Sequence, residues 1–218
     1  QDETDPVVST VAGSLDATLE CSDASGIAAA LALEPSATDN CDGTPTLNLV
    51  SDVTTPGICT QEYVRVRTWN FTDDCGNVSA NFVQTITVQD ETDPVISTVA
   101  GSLDATLECS DAAGIAAALA LQPSATDNCD GTPTLNLVSD VTTPGICTQE
   151  YVRVRTWNFT DDCGNVSANF VQTITVQDET DPVISTVAGS LDATLECSDA
   201  SGIAAALALQ PSATDNCD

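Results

Sequence analysis

From Glu62 to Thr72 the chain alternates without a break. Tyr63, Arg65, Arg67, Trp69 and Phe71 fall on one face, and Val64, Val66, Thr68 and Asn70 on the other. A period of two predicts a β-strand. The run Val83-Gln84-Thr85-Ile86-Thr87-Val88 alternates in the same way and predicts a partner strand from about Ser79 to Val88. The Gly-containing turn Asp73-Asp74-Cys75-Gly76-Asn77 between them makes the pair a hairpin. Upstream, Pro6 to Val11 and Leu15 to Cys21 read as short edge-type strands around the turn Ala12-Gly13-Ser14, and Thr46 to Val53 reads as another. Ile27 to Leu33 is less clear, because its alanines favour a helix. However, Ile27, Ala29, Leu31 and Leu33 alternate, and the segment is short for a helix, so a strand is expected there. Short strands separated by frequent turns predict an all-β fold, an immunoglobulin-like β-sandwich.

The whole pattern then recurs. QDETDP stands at Gln1–Pro6, Gln89–Pro94 and Gln177–Pro182, so the period is 88 residues. Residues 1–88 and 89–176 differ only at Val8/Ile96, Ser25/Ala113 and Glu34/Gln122. A fixed period is the mark of a repeat architecture. The expected domains are 1–88, 89–176 and an incomplete third repeat at 177–218, a window on a longer linear array. The near-identity of the repeats argues against a division of chemical labour between them.

Composition sharpens this picture. Each full repeat has four aromatics (Tyr63, Trp69, Phe71 and Phe82 in the first) and four cysteines: Cys21, Cys41, Cys59 and Cys75, then Cys109, Cys129, Cys147 and Cys163. So thin a core benefits from covalent staples. An even cysteine count without any histidine favours disulfides over zinc, and hence an oxidising, extracellular setting. A net charge of -29, with four arginines and no lysine, excludes nucleic acid as a partner and disfavours an anionic membrane surface. No apolar run is long enough to span a bilayer.

DNCDG, then GIC, then RTWNFTDDCGNVSANFVQTITVQDETDP, resembles the four-cysteine hyalin-repeat-like (HYR-like) modules of bacterial surface proteins. Such modules are abundant in very large Bacteroidetes adhesins, including the SprB type of gliding motility. The resemblance implies a sandwich, a location on the bacterial cell surface and use in tandem arrays. It implies no ligand.

Four cysteines allow three connectivities. In a sandwich, the loop holding Cys41 and the hairpin turn holding Cys75 share one end, while Cys21 and Cys59 lie toward the other. The expected pairs are therefore Cys21–Cys59, Cys41–Cys75, Cys109–Cys147 and Cys129–Cys163, with the partners of Cys197 and Cys217 beyond Asp218. The same topology brings the acidic joint to the end carrying the two loops. Asp90, Glu91 and Asp93 would meet Asp127 and Asp130 of DNCDG, the amide of Asn128, and Asp161 and Asp162 of DDCGN. The first-repeat equivalents are Asp2, Glu3, Asp5, Asp39, Asp42, Asp73 and Asp74; those of the third are Asp178, Glu179, Asp181, Asp215 and Asp218. Hard divalent cations take six to eight oxygens, and flexible loops suit calcium. Structural calcium is the expected cofactor. The competing explanation is that some of these acids only cap turns, as Asp and Asn often do. DNCDG matches part of an EF-hand loop but lacks its spacing and terminal glutamate.

Catalysis has little to draw on. Without histidine, lysine or a free thiol only carboxylates and hydroxyls remain, and a joint repeated at every boundary is not the cleft a paired-carboxylate hydrolase needs. Arg65 and Arg67 are expected to pair with neighbouring carboxylates or stack on an aromatic ring. The N-glycosylation matches Asn70-Phe71-Thr72 and Asn77-Val78-Ser79 are read as coincidence in a bacterial protein. The leading reading is a stalk segment of an adhesin whose partners are neighbouring repeats of its own chain, with calcium stiffening each joint. Its rivals are a module that grips a surface glycan or protein, and a self-assembling fibre subunit.

Overall fold

A computed structural model describes residues 2–217. In the first repeat the elements are β1 (Val7–Val8), β2 (Ala17–Glu20), α1 (Ala24–Leu31), β3 (Ala37–Thr38), β4 (Thr46–Pro56), β5 (Tyr63–Thr72) and β6 (Phe82–Gln89). The second repeat follows the same order: β7 (Val95–Ile96), β8 (Ala105–Glu108), α2 (Ala112–Ala120), β9 (Ala125–Thr126), β10 (Thr134–Pro144), β11 (Tyr151–Thr160) and β12 (Phe170–Gln177). In the remaining stretch, β13 (Val183–Ile184), α3 (Ala200–Leu207) and β14 (Ala213–Thr214) repeat the beginning of the pattern. The fold is mostly β, in tandem sandwich-like domains.

The main sheet of the first repeat has the order β2-β6-β5-β4. The β5–β6 hairpin expected from the alternation is antiparallel, with Tyr63 opposite Val88 and Trp69 opposite Phe82. β2 joins the other side of β6 in parallel, with Ala17 beside Ile86 and Glu20 beside Gln89. A separate two-stranded ribbon pairs β1 with β3.

Ile27 to Leu33 is not a strand. Residues 24–31 are helical, and the Asp23 carboxylate accepts the Gly26 N–H at 2.8 Å as the N-cap. Ser22-Asp23 in front of an alanine-rich run is a helix start, and it outweighs the short alternation. α1 lies on the sheet, where Ala30, Ile86 and Val88 are buried with Leu19, Ile27, Leu31 and Tyr63 packed around them. The fully buried Gln84 fastens helix to sheet: its amide donates to the carbonyls of Leu15 (2.8 Å) and Ala30 (3.0 Å). Arg67 donates to the Leu31 carbonyl at 2.8 Å and lies 4.5 Å over the Trp69 ring. Arg65 holds Asp52 with two hydrogen bonds of 2.7 Å.

The chain forms two compact units whose borders do not follow the repeats. One comprises the stretch ending at Ser97 together with Ser124–Asn136 and Asn158–Ala168. The other comprises Thr98–Pro123, Leu137–Trp157 and the stretch from Asn169 onward. The first unit therefore contains the junction between the first repeat and two loops of the second.

A carboxylate and disulfide junction as candidate functional site

Parallel pairing of β2 with β6 decides what stands at this junction. Glu20 is registered beside Gln89, and the Cys21 N–H donates to the Gln89 carbonyl at 2.8 Å. The end of β2 is thereby fixed where the chain leaves β6 into Asp90-Glu91-Thr92-Asp93-Pro94. Glu20 Oε1 accepts the Glu91 N–H (3.1 Å) and the Thr92 hydroxyl (3.2 Å). The linker then enters β7, whose pairing with β9 (Val95 opposite Thr126) delivers the loop Asp127-Asn128-Cys129-Asp130. The DDCGN turn is held from the other side. Asn165 Nδ2 donates to the Asp90 carbonyl at 3.1 Å, and the Val166 N–H donates to Asp93 Oδ1 at 3.2 Å.

The disulfides cross this junction, contrary to the pairing expected within repeats. Cys21 is bonded to Cys129 (Cα–Cα 6.0 Å) and Cys59 to Cys163 (5.1 Å). In the second unit Cys109 is bonded to Cys217 (5.8 Å). The pairs Cys21–Cys59, Cys41–Cys75, Cys109–Cys147 and Cys129–Cys163 are therefore not formed, and the partner of Cys217 lies within the chain. Cys41, Cys75 and Cys197 are exposed and form no disulfide among the described residues. Cys21 and Cys59 do stand at one end of the first repeat. Cys21 is hydrogen-bonded to Gln89, and the turn of Cys59 closes through Gly57 N–H to the Glu62 carbonyl beside Tyr63, which faces Val88. What meets that end is the next repeat's DNCDG and DDCGN loops, so the bonds close forward along the chain. Polar contacts repeat this forward pattern. Thr60 donates its hydroxyl to Asp162 (2.7 Å), Gln61 donates to the Cys129 carbonyl, and Asn128 donates to Ser22 Oγ (3.0 Å). In the second unit Gln149 donates to the Cys217 carbonyl and Asn216 to Ser110 Oγ at 2.9 Å.

The candidate acids fall into distinct groups. Asp161 is a turn cap: its Oδ1 accepts the N–H groups of Cys163, Gly164 and Asn165, and its Oδ2 accepts from Asn165 Nδ2. Asp73 holds its own turn in the same way through Cys75 and Asn77. Its folding environment holds its pKa low, the hydrogen bonds outweighing the upward push of burial. Asp130 Oδ1 caps Thr132, while its Oδ2 accepts the Asp162 N–H; Asp42 does the same for Thr44 and Asp74. Asp2 caps Thr4 and Asp178 caps Thr180. Asp215 caps Cys217, and Glu179 accepts from Gln177. Glu3, Asp5, Glu91, Asp93 and Asp181 are exposed. Asp218 lies outside the described residues.

Asp90 stands apart. It is only 5 % exposed, and its Oδ2 is buried without a hydrogen-bond partner. Asp127 Oδ2 and Glu20 Oε2 are also buried and unpartnered, although Asp127 Oδ1 accepts from Cys129 and Asp130. Carboxylate oxygens of Asp90 and Asp127 and the Cys129 sulfur all lie within 4.8 Å of one another, as do Asp90, Asp161 and Cys163. Burial first, then the charges of Asp127, Asp161 and Glu20, push the Asp90 pKa up. A cavity of about 10 Å³, room for one water or one bare ion, is lined by Thr60, Gln61, Asp90, Cys129, Asp130, Asp162 and Cys163. Buried carboxylate oxygens without donors call for a cation. The buried, donorless oxygens of Asp90, Asp127 and Glu20 suit an oxygen-liganded ion; of these three residues Asp90 lines the cavity. Glu20 is absent from the sequence-level set; its signal is the parallel register of β2, which no local motif announces.

No curated protein sequence matches the chain. Among solved structures it is similar to human protocadherin-24 EC1-2 (13 % identity, TM-score 0.31, covering 82 % of this chain and 100 % of that one). It is also similar to mouse clustered PcdhgC3 EC1-3 (13 %, 0.31, 81 % and 69 %) and Drosophila N-cadherin EC1-4 (12 %, 0.33, 80 % and 50 %). Likenesses this distant carry no argument about function. Family comparison is decisive, matching residues 9–88 and 97–176 each to the HYR-like domain with 4 cysteines. The four cysteines of each repeat lie inside these matches, and the chain belongs to that family.

Proposed function

We propose that this chain is a segment of the stalk of a large bacterial cell-surface adhesin, of the kind that serves gliding motility, in which successive repeats are locked together at acidic, calcium-binding joints. One observation carries the reading: two disulfides, Cys21–Cys129 and Cys59–Cys163, bind the first repeat to loops of the second within a single compact unit. A domain built to act alone closes its cysteines on itself. Closing them on the next repeat makes the joint, rather than the domain, the stapled element, which suits a part that transmits tension and sets reach. No helix among the described residues is long and apolar enough to cross a membrane. The role is structural, not catalytic, and the natural partners are neighbouring repeats.

Calcium would add an ionic lock to the covalent one. Without a cation, Asp90, Asp127 and Glu20 repel one another across the joint; with one, they pull its three segments together. Small-angle scattering of the oxidised chain, with calcium and then with chelator, tests this. The expected result is a larger spread of interatomic distances in chelator. Identical curves would remove calcium from the reading and leave a joint held by disulfides alone.

A further inference from the structure

Resting on that reading of the joint, we infer that the calcium site and the inter-repeat disulfide are one coupled device, with Glu20, Asp90 and Asp127 as cation ligands that the Cys21–Cys129 bond helps to hold together. Glu20 directly precedes Cys21, and Asp127 lies two residues before Cys129. The two carboxylates come from different repeats, and the disulfide joins their segments covalently. A Glu20 oxygen lies within 4.8 Å of the sulfurs of Cys21 and Cys129, and the Cys129 sulfur lies within 4.8 Å of oxygens of Asp90 and Asp127. Asp90, 5 % exposed, has an unpartnered Oδ2, and Glu20 Oε2 and Asp127 Oδ2 are likewise buried and unpartnered.

The second unit repeats the arrangement. Ligand atoms of Glu108, Cys109, Asp178 and Cys217 all lie within 4.8 Å of one another around the Cys109–Cys217 disulfide, and Glu108 Oε2 is again buried and unpartnered. Both units thus carry the same pair of features, a bond between repeats and, beside its sulfurs, a glutamate with one orphaned oxygen.

The chemistry follows directly. A dithiol reductant breaks the S–S bond by exchange: two protein thiols form and the reductant is oxidised to its own disulfide. Glu20 and Asp127 then lose the covalent tie between their repeats, with strand pairing and Cys59–Cys163 remaining, and their mutual repulsion loosens the site. The cation loses ligands, so calcium affinity falls. Linkage requires the reverse to the same extent: bound calcium makes the disulfide harder to reduce by the factor that reduction costs in calcium affinity.

Calorimetric titration of the whole chain with calcium tests this. The oxidised chain is expected to bind calcium at both junctions, and the Cys21→Ser/Cys129→Ser variant to lose affinity at one of them at least tenfold. Glu20→Gln, which leaves every disulfide in place, is expected to weaken the same site, so the result does not hang on how well the cysteine variant folds. The dithiol concentration that half-reduces Cys21–Cys129 is expected to rise in calcium by a matching factor. Absence of calcium binding to the oxidised chain would overturn the calcium reading itself. Binding that is equal in the oxidised chain, the cysteine variant and Glu20→Gln would leave calcium in place and overturn the coupling.

Discussion

Cys21 and Cys129 are 108 residues apart, in successive repeats, and are joined by a disulfide with their Cα atoms at 6.0 Å. The separation is ordinary for a disulfide, but the span is not: the bond encloses the first repeat from α1 to β6, the linker, and the second repeat as far as β9. Its effect therefore falls on the joint as much as on either domain.

The stability consequence is large. In the chain-entropy account, a bond closing a loop of this length contributes up to about 5 kcal/mol. Cys21→Ser/Cys129→Ser is expected to lower the urea midpoint of the unit holding the junction, by several kcal/mol once converted. Part of the effect is shared with Cys59–Cys163, which closes an overlapping loop. Peptide mapping of the unreduced chain is expected to recover Cys21 with Cys129, Cys59 with Cys163 and Cys109 with Cys217. Recovery of Cys21 with Cys59 would restore closure within the repeat and remove the basis of the stapled joint.

Tyr63–Phe71 and Val83–Val88 carry their structure in their own alternation, because one face of each strand meets the core and the other does not. Cysteine placement is legible too. The ends of the repeat on which Cys21, Cys41, Cys59 and Cys75 lie follow from strand direction alone. Pairing is not legible, because identical repeats offer each cysteine a chemically equal partner within its own repeat and in the next. Only the path of Asp90–Pro94 decides between them. Helix α1 escapes the pattern because Ile27, Ala29, Leu31 and Leu33 alternate by chance among alanines, while the Asp23 cap that starts the helix lies outside the alternating run. Glu20 escapes for a different reason: its role depends on a parallel neighbour 69 positions away in register.

Asp90 gives a prediction of unusual sign. Its folded pKa is raised, by burial and then by Asp127, Asp161 and Glu20. The folded state therefore holds this proton more tightly than the unfolded state does. In chelator, its contribution to stability is fully present below the unfolded carboxyl range and is lost as pH rises through the folded pKa. Asp90→Asn is expected to stabilise the cation-free chain at neutral pH by about 1 kcal/mol, the scale of one poorly satisfied buried polar group. The same variant is expected to abolish any stabilisation by added calcium. Thermal melts of both chains, with calcium and with chelator, give the four values needed; a variant less stable in chelator would contradict the argument.

Gln84 is the polar pin of the first domain. Gln84→Leu keeps the volume roughly but strands the carbonyls of Leu15 and Ala30 and removes an acceptor from Arg67. Each buried group left unpaired costs about 1–3 kcal/mol, so a loss of roughly 3 kcal/mol is expected. Hydrogen exchange is expected to show α1 loosening before the β5–β6 hairpin, because the amide joins helix to sheet and not one hairpin strand to the other. Equal loss of protection in both would mean that Gln84 only fills space.

Asp52 and Arg65 face each other across β4 and β5, registered beside one another through the pairs Asp52–Arg67 and Thr54–Arg65. Two 2.7 Å hydrogen bonds from Arg65 hold the Asp52 pKa down, against a smaller upward push from burial. The sign here is opposite to that of Asp90. Stability from this pair is present above the ordinary carboxylate range and is lost as pH falls through the depressed folded pKa. Asp52 keeps about a quarter of its side-chain surface exposed, at 24 %, so solvent screening limits the contribution to less than about 1 kcal/mol. Arg65→Gln is expected to cost that amount at pH 7 and less toward pH 2, as the carboxyl takes up its proton. Since Asp140 and Arg153 repeat the geometry at 2.7 Å in the second repeat, the double variant Arg65→Gln/Arg153→Gln is expected to show twice the effect at pH 7. Denaturant titrations at the two pH values check both statements, and a penalty that survives unchanged at pH 2 would mean that Arg65 acts through packing and not through its charge.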